Sequence, residues 1–179
     1  HDTLTASVQL ILDSLSPDAL ALACLFSTVS SSPLSVKEIN EAPGDEWHFM
    51  GEVLSLEDAL GGLLQYSLIE REGDEVQMHE LVQHLIWASM DVSRLVSALV
   101  AAEALVLQSL PQDGGSLVGR PQMERLLPHL LQLIANMEAF DELLQAPTAF
   151  LLNRLGSYYS SRGEEEHGRE LLQKGLNYL

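Results

Sequence analysis

Apolar residues recur along most of this chain at spacings of three and four, the period of a helix with one buried face. Val8, Ile11, Leu12 and Leu15 predict a first helix. Ser16-Pro17-Asp18 then reads as an N-cap, a proline at the first helical position and an acid in the first turn, so a second helix runs from Asp18 to about Phe26. Ser30-Ser31-Ser32-Pro33 is a loop, and Ser35-Val36-Lys37-Glu38 is a capping box opening a short helix. Residues 42–54 are irregular, with Pro43-Gly44-Asp45 as a turn. Ser55-Leu56-Glu57-Asp58 caps a helix to about Tyr66, with Leu56, Leu60, Leu63 and Leu64 facing inward. The one convincing strand signal comes next: Ser67 to Glu70 and Glu75 to Met78 flank the turn Glu72-Gly73-Asp74. From His79 to about Met90 the pattern is helical again, with Leu81, Val82, Leu85, Ile86 and Met90 inward.

Beyond residue 92 the pattern is helical throughout. Leu95, Val96, Leu99, Val106 and Leu110 predict a helix over 92–110, followed by a glycine-rich loop over 111–119. Pro121 opens a helix carrying Met123, Leu126, Leu127, Leu130, Ile134 and Met137, and Pro128 inside it predicts a kink or a helix start. A short element over 139–145 precedes a helical hairpin, 147–161 and 164–179, turning at Arg162-Gly163. The predicted fold is mainly α. A winged-helix domain with one small β-hairpin spans 1–92, a helical connector or degenerate repeat spans 93–146, and an antiparallel helical hairpin spans 147–179.

The length, 179 residues, suits one domain or two small ones, and 46% hydrophobic content separates the chain from disordered acidic tails. Charge divides it. Residues 1–92 hold 16 acids against Lys37 and Arg71, a net of −14, whereas residues 93–179 hold 10 acids and 7 bases, a net of −3. A total of −17 argues against nucleic acid and anionic membrane surfaces as partners, because both are bound largely through Lys and Arg. No apolar run reaches the roughly 18 residues of a membrane span. The start, His1-Asp2-Thr3, does not resemble a secretory signal and suggests a fragment of a longer chain. The single cysteine, Cys24, excludes an internal disulfide and reads as a small core residue.

Motifs for catalysis are absent or fail on geometry. His79-Glu80-Leu81-Val82-Gln83-His84 resembles the HExxH of zinc proteases, but its histidines are five apart and diverge by about 140° on a helix. His48, His129 and His167 stand alone and read as surface or hydrogen-bonded histidines. No GxxxxGK[ST] or GxSxG occurs, and Gly114-Gly115 lacks the lysine and preceding strand of a phosphate loop. Glu164-Glu165-Glu166 reads as a solvated helix start. A DNA-recognition helix over 56–66 would carry no base and two acids, and the wing tip over 70–75 holds four acids and one arginine.

Two stretches carry a family resemblance. Leu63-Leu64-Gln65-Tyr66-Ser67-Leu68-Ile69 followed by Gln77-Met78-His79-Glu80-Leu81-Val82-Gln83 resembles the winged-helix domain of STAND (NB-ARC) signal-transduction ATPases. Glu80 stands where plant immune receptors of that class carry Asp and many bacterial relatives carry Arg. Glu124-Arg125-Leu126-Leu127-Pro128-His129 and Leu151-Leu152-Asn153-Arg154-Leu155-Gly156-Ser157-Tyr158-Tyr159 resemble members whose nucleotide core is followed by tetratricopeptide (TPR) repeats. Leu152, Leu155, Gly156, Tyr159 and Gly163 match the first helix and turn of a repeat. Gly168 and Gly175 stand where alanine is usual, and Leu172 where an aromatic or large apolar residue is usual.

The resemblance implies regulation. In that family the histidine of the Met-His motif, here His79, reaches the β-phosphate of ADP held in a separate nucleotide domain and stabilises the inactive state. That domain would precede His1, so this chain is expected to hold no cofactor and no catalytic residue of its own, with ADP or ATP belonging to the parent protein. The expected partners are the nucleotide domain in cis, a protein or peptide on the TPR helices and further copies on activation, in a cytoplasmic setting. His79 serving only as a helix cap is the alternative role. A free-standing helical adaptor without a nucleotide switch is the alternative function, and a winged-helix transcription factor is disfavoured by charge.

Overall fold

The computed structural model describes residues 2–41, 56–112, 114, 116–140 and 143–178. The predicted turn at Pro43-Gly44-Asp45, the irregular stretch 42–54 and the Ser55 cap lie outside them. The described chain is mainly helical with one small antiparallel sheet. Helix α1 (Asp2–Ser14) buries Val8 and Leu12, and α2 (Pro17–Phe26) follows a single break. The Ser16 hydroxyl caps α2 by accepting the Ala19 N–H at 3.2 Å, with Pro17 in the first turn, where its missing N–H costs nothing. The α2 helix is buried almost all round and forms the centre of the first half.

The sheet has three strands. β1 (Leu34–Ser35) pairs with β3 (Glu75–Gln77), which pairs with β2 (Glu70–Glu72), all antiparallel. β1 was not predicted, because two residues carry no alternation. Ser35 leads from β1 into α3 (Val36–Glu41) through the expected capping box: its hydroxyl accepts the Lys37 N–H at 3.2 Å, and Glu38 accepts the Ser35 N–H at 3.3 Å. Helix α4 (Leu56–Gln65) buries Ala59, Leu60 and Leu63, while Leu64 is 36% exposed, contrary to its predicted inward position. Residues 67–69, expected to be strand, instead form the turn that closes α4. Ser67 adopts φ 54°, and Leu68 and Ile69 tuck into the core. Gly73, at φ 62°, turns the hairpin between Glu72 and Glu75.

Helix α5 (Glu80–Ser89) buries Leu85, Ile86 and Gln83. Leu81 points out at 51% exposure, so the inward face begins a turn later than predicted, and the predicted Val82 and Met90 are only half-buried. Helix α6 (Val92–Ser109) is 18 residues long and passes a membrane-span criterion by length and composition alone, although Arg94 and Glu103 interrupt its apolar run. In this fold it packs on α2, α3, α7 (Arg120–Glu138) and α8 (Gln145–Ser161), with Ala98, Leu99, Ala102, Leu105 and Val106 buried. Helix α7 runs unbroken through Pro128, so no helix starts there. Pro128 and Glu124, whose carbonyl the proline cannot serve, are both exposed. Residues 139–140 and 143–144 are turns, and α8 forms a close hairpin with α9 (Glu165–Leu176).

One buried apolar cluster runs from Val8 to Tyr158, so the core is continuous across residues 92 and 93. Polar contacts cross the same line. The guanidinium of Arg125 on α7 forks onto both oxygens of Glu38 on α3, with Nη1 to Oε2 at 2.9 Å. Asn136 donates to the Thr28 carbonyl at 2.8 Å, and Gln108 on α6 donates to the Glu41 carbonyl at 2.6 Å.

Candidate functional site around His79

Met78 and His79 follow β3 and precede α5. The backbone of His79 is extended (φ −63°, ψ 138°), its carbonyl accepts the N–H groups of Val82 and Gln83, and its ring caps the helix by accepting the Leu81 N–H on Nδ1 at 3.1 Å. A cap of this kind satisfies one of the orphan donors that begin every helix. It also fixes the tautomer. The Nδ1 lone pair is occupied, so the hydrogen of the neutral ring sits on Nε2. The side chain is exposed, and its Nε2 makes no hydrogen bond among the described residues. The two roles weighed from the sequence, cap and sensor, therefore use different ring atoms. Capping with Nδ1 leaves a directed Nε2–H donor beside the positive end of a helix.

Met78, 1% exposed, anchors the preceding residue in the core. Gln83 anchors the following turn. It is 8% exposed, and its amide donates to the carbonyls of Phe26, the last residue of α2, at 2.8 Å and of Val29, in the loop that follows, at 3.2 Å. Sequence reasoning assigned Gln83 no part, although a glutamine amid the apolar positions of α5 was the available signal. Glu80 is exposed in the first helical turn.

The five-residue offset of His79 and His84 leaves both exposed, and no cluster of metal-binding side chains occurs among the described residues. His129 is a hydrogen-bonded histidine rather than a surface one, and only half satisfied. It is fully buried, and among the described residues only its Nε2 has a partner, the Pro33 carbonyl at 3.3 Å. Cys24 is buried as expected, and burial pushes its thiol up to about 11.

The two bases of the first half are both engaged by acids. Arg71 forks onto Glu57, with Nη1 to Oε2 at 2.6 Å, and Lys37 lies 3.9 Å from Glu41. The hydrogen bond from Arg71 holds the Glu57 carboxyl below its usual range. The cavity of about 330 Å³ beside the sheet is lined by Glu70, Glu72 and Glu75 together with Arg71.

In the last hairpin, Leu152, Leu155 and Gly156 lie on the buried face of α8, Tyr159 is half-buried against His167, and Gly163 makes the turn at φ 83°. A Cβ at Gly156 would lie 2.8 Å from the Gly168 carbonyl oxygen, and one at Gly168 would lie 2.7 Å from that of Gly156. The helices approach to backbone contact there, which only glycine permits. Gly175 sits against Ala149 and Leu152. Leu172 reaches Gly156 but is itself only half-buried. No family model, no curated protein and no solved structure matches the chain.

Proposed function

We propose that this chain is the regulatory and partner-sensing segment of a STAND-type ATPase switch. In this reading residues 1–92 form a winged-helix domain that docks on an upstream nucleotide domain, and His79 donates from Nε2 to the β-phosphate of ADP, favouring the off state. Residues 93–146 form a degenerate repeat or connector and 147–179 a TPR-like hairpin, together offering helical surface to a protein partner. The observation that carries the reading is the division of labour in the His79 ring: Nδ1 caps α5, while Nε2 at this exposed helix start makes no hydrogen bond among the described residues. The backbone contact of Gly156 with Gly168 supports the repeat assignment, since small residues at that crossing are what a repeat hairpin requires.

The test uses the longer protein with its nucleotide domain. Wild type, His79→Ala and His79→Ser are purified and denatured, and the released nucleotide is identified by chromatography. Serine restores the cap but not the outward donor. ADP retained by wild type and lost or replaced by ATP in both variants is the expected result. Retention in the serine variant assigns His79 to capping alone, and absence of nucleotide from all three sinks the switch. The second reading, a helical adaptor with no nucleotide switch, draws its support from the exposed apolar side chains of Leu143, Phe150 and Leu176 in the last hairpin region.

A further inference from the structure

The loop between α2 and β1 is held from two helices that lie far apart in sequence. Gln83 on α5 takes the carbonyls of Phe26 and Val29, Asn136 on α7 takes that of Thr28, and His129 on α7 takes that of Pro33. One turn before His129 on the same helix, Arg125 grips Glu38. Thus α7 is fastened to the first half by three polar attachments, at Arg125, His129 and Asn136. Only one of them contains a group that titrates near neutral pH.

His129 is built to be neutral. It is fully buried, Nε2–H donates to Pro33, and Nδ1 is buried with no partner among the described residues. A proton added at Nδ1 would create a cation whose new N–H meets no acceptor. Two charged groups bear on it, and a third acts on one of them. Arg125 repels the cation; Glu38 attracts it, but both carboxylate oxygens are already held by Arg125; and Glu75, on β3, acts on Arg125. Burial is the largest influence and holds the imidazole below its ordinary 6.5, opposed by the Pro33 carbonyl and by Glu38.

We propose that His129 is a protonation-sensitive latch: neutral, it locks α7 onto the loop between α2 and β1, and protonated, it releases α7 from that loop while the α8–α9 hairpin stays formed. The imidazolium reaches water or an acceptor only by leaving its site. That movement breaks the Pro33 bond and strains the neighbouring Arg125–Glu38 and Asn136–Thr28 contacts on the same helix. The sign follows from linkage. A released or unfolded His129 binds a proton at about 6.5, and the locked one binds it only at lower pH. The contribution of the latch is therefore complete above about 6.5 and is lost as pH falls below it.

The experiment is amide hydrogen exchange on the whole chain at pH 7.5 and pH 5.5, corrected for intrinsic exchange rates, comparing wild type with His129→Gln. Glutamine can still donate to Pro33 and does not titrate. In wild type at pH 5.5, protection over 120–138 and 27–39 should fall severalfold, up to about tenfold, the ceiling set by the one pH unit between 5.5 and the released histidine's 6.5. Protection over 145–176 should hold, and the variant should show no such pH step. An equal pH step in the variant overturns the proposal, as does a uniform loss of protection across the chain. If His129→Gln fails to fold, the ring resonances of His129 in wild type decide. A ring that titrates together with opening of α7 supports the latch, and one that titrates while α7 stays protected overturns it.

Discussion

Ser67 stands at the end of α4 where Gly163 stands at the end of α8. In both, the residue itself donates to a carbonyl three back (Ser67 to Leu64 at 3.0 Å, Gly163 to Ser160 at 3.1 Å). The next residue donates to a carbonyl five back (Leu68 to Leu63 at 3.0 Å, Glu164 to Tyr159 at 3.1 Å). Both are left-handed, Ser67 at φ 54° and Gly163 at φ 83°. This is the Schellman closure, which favours glycine because a Cβ in that conformation meets the backbone. Substituting Ser67→Gly should therefore stabilise the chain by about 1 kcal/mol, and Gly163→Ala should destabilise it by a similar amount. Urea unfolding of each variant measures both, and a destabilised Ser67→Gly would contradict the assignment.

Two helical glycines should respond to alanine in opposite directions. At Gly61, on the exposed side of α4, an added methyl meets nothing within 4 Å, so Gly61→Ala should gain about 0.5–1 kcal/mol from helix propensity. At Gly168 the methyl would overlap the Ser160 hydroxyl and lie 2.7 Å from the Gly156 carbonyl oxygen, and backbone cannot yield as a flexible side chain does. Gly168→Ala should cost about 1–3 kcal/mol and loosen α9 first. Thermal unfolding followed by circular dichroism, with amide exchange over 165–176, compares the two.

Local signals were legible where they are self-contained. The Ser16 and Ser35 caps, the apolar faces of α1 and α6 and the turn at Gly73 each follow from a few neighbouring residues. His79 was singled out in the sequence by the Met-His motif, and the structure shows its Nδ1 accepting the Leu81 N–H at the start of α5. What escaped is long-range. Arg125, His129 and Asn136 looked like polar residues of an amphipathic helix, yet each reaches a partner between 87 and 108 positions away. Periodicity reports which face of a helix is wet, and a polar residue that meets a buried carbonyl breaks that equation. The strand β1 escaped for the opposite reason: two residues are too few for a period to exist.

Cys24 should be inert while the chain is folded. Burial raises its thiol to about 11, opposed by Arg94, and the residue is 2% exposed. At pH 8 the thiolate is then about one part in a thousand, against about one in ten for a thiol at 9.0. An alkylating reagent should therefore label the native protein slowly and the urea-unfolded protein at once, with the native rate rising steadily as pH climbs toward 11. Rapid stoichiometric labelling at pH 8 under native conditions would show that α2 and α6 separate readily.

Gln83 should matter to His79 although the two side chains do not touch. Its amide satisfies two carbonyls, at the end of α2 and in the loop that follows, and its backbone N–H bonds the His79 carbonyl, so one residue joins the cap of α5 to the first half. Gln83→Met keeps the length and apolar packing of the side chain but leaves the Phe26 and Val29 carbonyls buried without their donor. An unpaired buried polar group costs about 1–3 kcal/mol, so the variant should lose that order of stability. Methionine is also a good helix former, so the loss cannot be charged to propensity. The diagnostic readout is local. Exchange of the Leu81 amide, which His79 Nδ1 accepts, should quicken more than exchange over α8, because α5 loses its tie to α2 while the far hairpin keeps all its contacts. Equal quickening in both places would mean that Gln83 serves the fold as a whole and leaves the His79 position to Met78 and the cap alone.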